Sequence, residues 1–240
     1  MNLISDSLIC EIVTASHIII DKTTSEDQLV FIGQSPDYLS YLVGQSRKVV
    51  RVPMSGRIYC DQWTIPTQDA LRGIFNLLDN YELKPNKIIL IDHSHSGKSI
   101  SGFAKLLNRY FGFIGCENTQ WNWNYQAFRF KFINLVSPEQ INGWIVKPDL
   151  AFVQTIGFVC MPGLVDLANE KYPRTIKMFQ YWLWGTKSHV STQTNDCDIN
   201  YNILCDKINE FIEKFQPQTD ALVYWRTHIT FAGDTNRKKY

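Results

Sequence analysis

The sequence has no CxxC pair and no cysteine–histidine cluster at zinc-finger spacing. Its six cysteines stand singly at 10, 60, 116, 160, 197 and 205, a pattern that fits reduced, mostly buried thiols in an intracellular protein. No apolar run approaches the ~20 residues that a membrane-spanning helix requires. The opening MNLISDSLICEIV carries acids early and no basic segment ahead of an apolar core, so it does not read as a secretory signal. An excess of one charge is also missing. With 24 basic and 23 acidic residues the formal net charge is +1, which gives no global reason to bind nucleic acid or an anionic membrane. Internal repeats and low-complexity tracts are absent as well. The expectation is a soluble, cytoplasmic protein without a membrane partner.

What is present is a 240-residue chain with a 45% hydrophobic share and 20% charged residues, ordinary for a globular protein. Aromatics reach 13%, with seven Trp, which argues for thick packing. Residues 5–21 predict an opening helix with Asp6 at its favoured end. QLVFIG at 28–33 predicts a buried strand. Ser35 is the expected N-cap, with Pro36 in the first turn, of a helix over 37–43 that stops at Gly44. KVVRVP at 48–53 predicts a second strand, followed by an irregular stretch at 54–66. Thr67 then caps a helix over 68–80. A third strand begins after the Lys84-Pro85-Asn86 turn, and the helix beyond it runs to about Phe111, where Gly112 breaks it. This strand–helix alternation predicts a parallel sheet with crossover helices.

After residue 120 the texture changes. From Gln126 to Leu135, period-two patterning predicts a strand with one wetter face. Another strand is expected within 146–158. Helices are expected at 163–171, 173–184 and 199–215, with a polar loop at 185–198 and a frayed end. Residues 1–120 therefore read as an α/β core with an N-terminal helix. Residues 121–240 read as the remaining sheet edge and an aromatic-rich helical extension on the same domain. Trp121, Trp123 and Tyr125 suit sheet packing better than base stacking. Trp182 and Trp184 read as helix core or as a subunit contact, so a homodimer stays open.

The stretch that carries chemistry is KIILIDHSHSGKSIS, residues 87–101. Four apolar residues run into Asp92, a polar loop follows, and an amphipathic run begins near Ile100. In α/β proteins ligands bind where a strand's carboxyl end meets a helix start. Free N–H groups and the helix dipole there suit a phosphate. The small residues Ser96, Gly97 and Ser99 let an anion reach the backbone.

Asp92 followed by Ser96-Gly97-Lys98-Ser99 resembles the ribose-phosphate loop of type I phosphoribosyltransferases. That family has two adjacent acids after the strand and a Thr-Gly-x-Thr loop end. In register, Asp92 falls on the second acid and Ile91 on the first. The resemblance implies a phosphoribosyltransferase-like α/β fold over roughly residues 28–115. It implies that Asp92, His93, Ser94, His95, Ser96, Gly97, Lys98 and Ser99 hold the ribose and its 5′-phosphate. It further implies that Gln34, Ser35 and Arg51, with Arg47 and Lys48 nearby, meet a pyrophosphate. Arg57 in the irregular stretch is the cationic candidate beside Asp92 for catalysis. Mg2+ would arrive on the ligand's diphosphate, and no metal is expected to be held by protein residues alone. The implied activity is transfer of phosphoribosyl from its diphosphate to a nitrogenous base. Catalytically silent relatives that bind a nucleotide or ribose phosphate in a regulatory role are the alternative.

A Walker A loop is the third reading. It needs Gly, four residues, then Gly-Lys-Ser. Here Asp92 stands at the first Gly, where a carboxylate repels a triphosphate. His93 and His95 could ligate a metal but lack a third ligand nearby. Cys60 lacks an adjacent base, and Asp149 and Asp166 stay unassigned.

Overall fold

The computed structural model describes residues 5–33, 36–52, 75–76, 78–93, 98–114, 128–138, 152–163, 205–213 and 231–233. Helix α1 spans Asp6–Lys22, and the Ser5 hydroxyl accepts the Leu8 amide at 3.3 Å. Asp6 in its first turn and Lys22 in its last both complement the helix dipole. Its carboxyl end is closed from outside: Arg47 Nη2 donates to Ile20 O at 2.6 Å and Thr23 O at 2.9 Å.

Strand β1 (Gln28–Ile32) leads through α2 (Asp37–Gly44) to β2 (Lys48–Val52). Residues 75–76 and 78–79 are helical, within the helix expected over 68–80. A short 3-10 turn, Pro85–Lys87, delivers the chain to β3 (Ile88–Asp92). Helix α3 (Lys98–Ile114) follows, then β4 (Phe130–Val136) and β5 (Val153–Cys160). Residues 205–213 form α4, and β6 (Phe231–Gly233) is the last strand.

The sheet order is β2-β1-β3-β4-β5-β6. The first five strands are parallel and β6 is antiparallel to β5. Both faces are covered, which is what parallel sheets require. On one face Leu29, Phe31, Ile89, Ile91 and Ile133 pack with residues of α1, α2 and α4. On the other, Val30, Val50, Leu90 and Phe132 pack with Ile100, Phe103 and Leu107 of α3. The switch of faces follows the chain's direction. β1 to β2 runs one way along the sheet, with α2 on the first face. β3 to β4 runs the other way, with α3 on the second. Right-handed crossovers demand this change of face.

Several expectations need correction. The α2 N-cap is Pro36, without a side-chain cap bond, and Gly44 lies inside the helix as its last residue. Ser35 is outside the described residues. Helix α3 continues through Gly112 to Ile114. A helical glycine costs about 1 kcal/mol, and here Phe111 offsets it by packing edge-on against Phe128. β4 has no wet face: only Lys131 of its seven residues is exposed. The alternation of aromatic and polar residues marks a strand covered on both sides, because Asn134 is buried too. The expected frayed end contains β6, which pairs Phe231 with Val159 and Ala232 with Phe158. The irregular stretch 54–66, the polar loop 185–198 and the helices at 163–171 and 173–184 are all or almost all outside the described residues.

Candidate functional site

Two crossovers of opposite sense meet between β1 and β3. Helices α2 and α3 pack on opposite faces of the sheet, so the crossovers change face at the carboxyl ends of these two strands. This is the topological switch point at which open α/β sheets take their ligands. At the crest of β1, Gly33 adopts a left-handed φ of 77°. Its amide donates to Val52 O at 2.9 Å. The conformation suits glycine, lacking a Cβ, and turns the chain off the strand at once.

Asp92 ends β3 directly beside this turn. It is buried, at 8% exposure. Side chains alternate along the strand. Ile89 and Ile91 belong to the α1–α2 core, Ile88 and Leu90 to the α3 core. Asp92 therefore faces the α3 side. Burial pushes its carboxyl well above the usual carboxylate range, and the His93 backbone N–H, bonded to it, opposes that rise. A few residues on, α3 begins. It is 17 residues long and has no acid in its first turn, so its dipole meets no acid of its own first turn.

The residues expected to form the site divide as follows. Asp92 and the half-buried His93 sit together at the crest of β3. Lys98 and Ser99 open α3. Ser94, His95, Ser96 and Gly97 lie outside the described residues, as do Gln34 and Arg57. Arg51 is on β2, two strands from β3. Neighbouring strands lie ~4.8 Å apart, so its backbone stands roughly 10 Å from that of β3. Val50 and Val52 pack in the α3 core, so Arg51 leaves the sheet on the opposite face to Asp92. The structure does not bring the two together. Its carbonyl accepts the Tyr81 hydroxyl at 3.0 Å.

Ile91 is fully buried in the α1–α2 core. A carboxylate at 91 would enter that apolar layer, where an unpaired charge is costly. The sequence reading missed Asn134. It is 0% exposed and pairs in register with Asp92 across β3 and β4. The signal was one amide among the apolar residues of FKFINLV, masked by the period-two reading.

Among the described residues, no three His, Cys, Asp or Glu side chains gather as a metal site. No helix among them is long and apolar enough to cross a membrane. The Cys10 thiol is pushed up by burial and by Asp6 and Glu11, which disfavours a nucleophilic thiolate. No protein-family model, curated protein or solved structure matches the chain.

Proposed function

We propose that this chain is a phosphoribosyltransferase-like protein that binds a 5-phosphorylated ribose at the carboxyl end of β3. One observation carries the reading: a buried carboxyl group, Asp92, at the β1–β3 switch point, a few residues ahead of the amino terminus of α3 at Lys98. The chemistry is complementary. Asp92 accepts from sugar hydroxyls. The amides and dipole at the start of α3 attract the phosphate. The Ser96-Gly97-Lys98-Ser99 sequence supplies small residues and a cation at the right distance along the chain.

If the protein turns over, the C1–O bond of a phosphoribosyl diphosphate breaks and its electron pair leaves with the diphosphate. A ring nitrogen of the base forms the new bond to C1 and loses a proton. Fixed dipoles aimed at the leaving group would supply most of the acceleration. Mg2+ typically takes one or two carboxylates plus ligand phosphates. Asp92 fits that count only when ionised, and its raised proton affinity weighs against direct ligation, leaving the donor's diphosphate as the carrier.

A second reading, binding without turnover, is favoured by the buried Ile91 and by the desolvated Asp92. Calorimetry with phosphoribosyl diphosphate and Mg2+, AMP and ATP, together with a base-dependent pyrophosphate release assay, separates the readings. Donor binding with release supports a transferase. Ribose-phosphate binding without release supports a regulatory binder. ATP binding lost in Lys98→Ala, with no affinity for the ribose donor, would replace both with a P-loop phosphotransferase.

A further inference from the structure

At the level of Asp92, one row of residues crosses the carboxyl edge of the sheet. Val52 pairs with Ile32, Asp92 with Asn134, and Asn134 with Phe158. Ile32 is level with Asp92, one step beyond the Phe31–Ile91 pair. The row reads Val52, Ile32, Asp92, Asn134, Phe158. Two polar side chains stand side by side between apolar neighbours. Both face α3: Leu90 and Phe132, two pairs below, lie in the α3 core, while Ile91 and Ile133 between them lie in the other.

We propose that Asn134 is a ligand-binding residue of this site, reading the hydroxyl groups of the 5-phosphorylated ribose together with Asp92. The inference rests on the function proposed above and goes beyond it, because it finds where the second polar group comes from. That group cannot come from position 91, whose side chain points into the α1–α2 core. Among the described residues of the sheet it can come from a neighbouring strand, at the same level and on the same face. On the β1 side the row offers Ile32, and only β4 offers a polar group.

The pairing is chemically apt. A sugar diol both donates and accepts hydrogen bonds. A carboxyl group donates only while it holds its proton, whereas a carboxamide accepts through its oxygen and donates through its nitrogen at any pH. Asp92 and Asn134 together match a diol better than either alone. A buried carboxamide costs stability unless it is hydrogen-bonded.

The test is titration calorimetry of the full chain with ribose 5-phosphate and, separately, with inorganic phosphate. The variants are Asn134→Leu, similar in volume and apolar like its neighbours, and Asn134→Ser, which shortens the reach and keeps a polar group. Thermal unfolding verifies that each folds. Both variants are expected to bind ribose 5-phosphate at least about tenfold more weakly, the loss of one good hydrogen bond, with phosphate affinity within about twofold of the parent. Unchanged ribose 5-phosphate affinity in either folded variant overturns the proposal. Equal losses for both ligands also overturn it, since they would mark a residue that only holds the loop. A parent protein that binds neither ligand removes the proposed function itself. A parent that binds both while the variants are unaffected removes the role of Asn134 alone.

Discussion

Asp92 is a carboxyl group that the fold has taken out of water, with the His93 backbone amide bonded to it. Its raised pKa has a stability consequence with a definite sign. Between the unfolded carboxylate value and the higher folded one, the native state holds a proton that the unfolded state has released. Stability therefore falls as pH rises through that window and levels off above the folded pKa. Asp92→Asn removes this slope. Its unfolding midpoint is expected to exceed that of the parent at neutral pH and to converge on it toward pH 4, measured by thermal melts across pH. A variant that melts below the parent at neutral pH would show that ionised Asp92 has stabilising partners. Two other side chains do the opposite work at the amino-terminal edge of the sheet. Gln28 clasps the backbone at 82–84, donating to Glu82 O at 3.2 Å and accepting from Lys84 N at 2.6 Å. Asn108 clasps Phe128, accepting its amide at 2.6 Å and donating to its carbonyl at 3.0 Å. Each amide side chain replaces a main-chain partner just outside a strand. Gln28→Ala and Asn108→Ala are each expected to lose about 1–3 kcal/mol in urea unfolding, from buried groups left unpaired. Ligand affinity should stay unchanged, because both clasps lie at the far edge from Asp92.

At the scale of elements, α1 and β5 are joined where the chain leaves the sheet. Buried Glu11 accepts the Gly163 amide at 2.5 Å. A Cβ on Gly163 would stand 2.6 Å from Leu8 Cδ1 and 2.9 Å from Glu11 Oε2. Both side chains are buried and cannot simply swing away. Gly163→Ala should therefore destabilise by about 1–3 kcal/mol through overpacking; an unchanged urea midpoint would mean that this junction yields freely. Phe103 is fully buried between α3 and the sheet, and Phe103→Ala is expected to cost about 3–5 kcal/mol in the same measurement. Most of these elements were legible from sequence. Continuous apolar runs gave β1 and β3, and the apolar spacing with Asp6 at the favoured end gave α1. What was not legible follows from tertiary contacts. Gly112 stays helical because Phe111 packs against Phe128 from another segment. β6 is three residues long and exists through its pairing with β5. β4 showed alternation, yet lies between β3 and β5 with both faces covered, so its polar residue Asn134 is an inward one.

For the whole molecule, the strand order turns a string of strands and helices into a sheet with one switch point between β1 and β3. Sequence alternation alone gave a parallel sheet. It could not give the order β2-β1-β3-β4, which makes β1 and β3 neighbours and sends α2 and α3 to opposite faces. Nor could it show that Ile91 and Asp92, adjacent in sequence, serve different layers. The helix start at Lys98 was readable because small residues and a lysine fall just ahead of an amphipathic run. Asn134 was not, because its partnership with Asp92 exists only through the register of two strands distant in sequence. The central claim is that a 5-phosphorylated ribose binds at the crest of β3 through Asp92. Its most direct test is titration calorimetry of ribose 5-phosphate into the parent protein and into Asp92→Asn at neutral pH. Saturable one-to-one binding by the parent, weakened at least about tenfold in a variant that is folded and more heat-stable, is the predicted result. No binding by the parent, or equal binding by the two proteins, would contradict it.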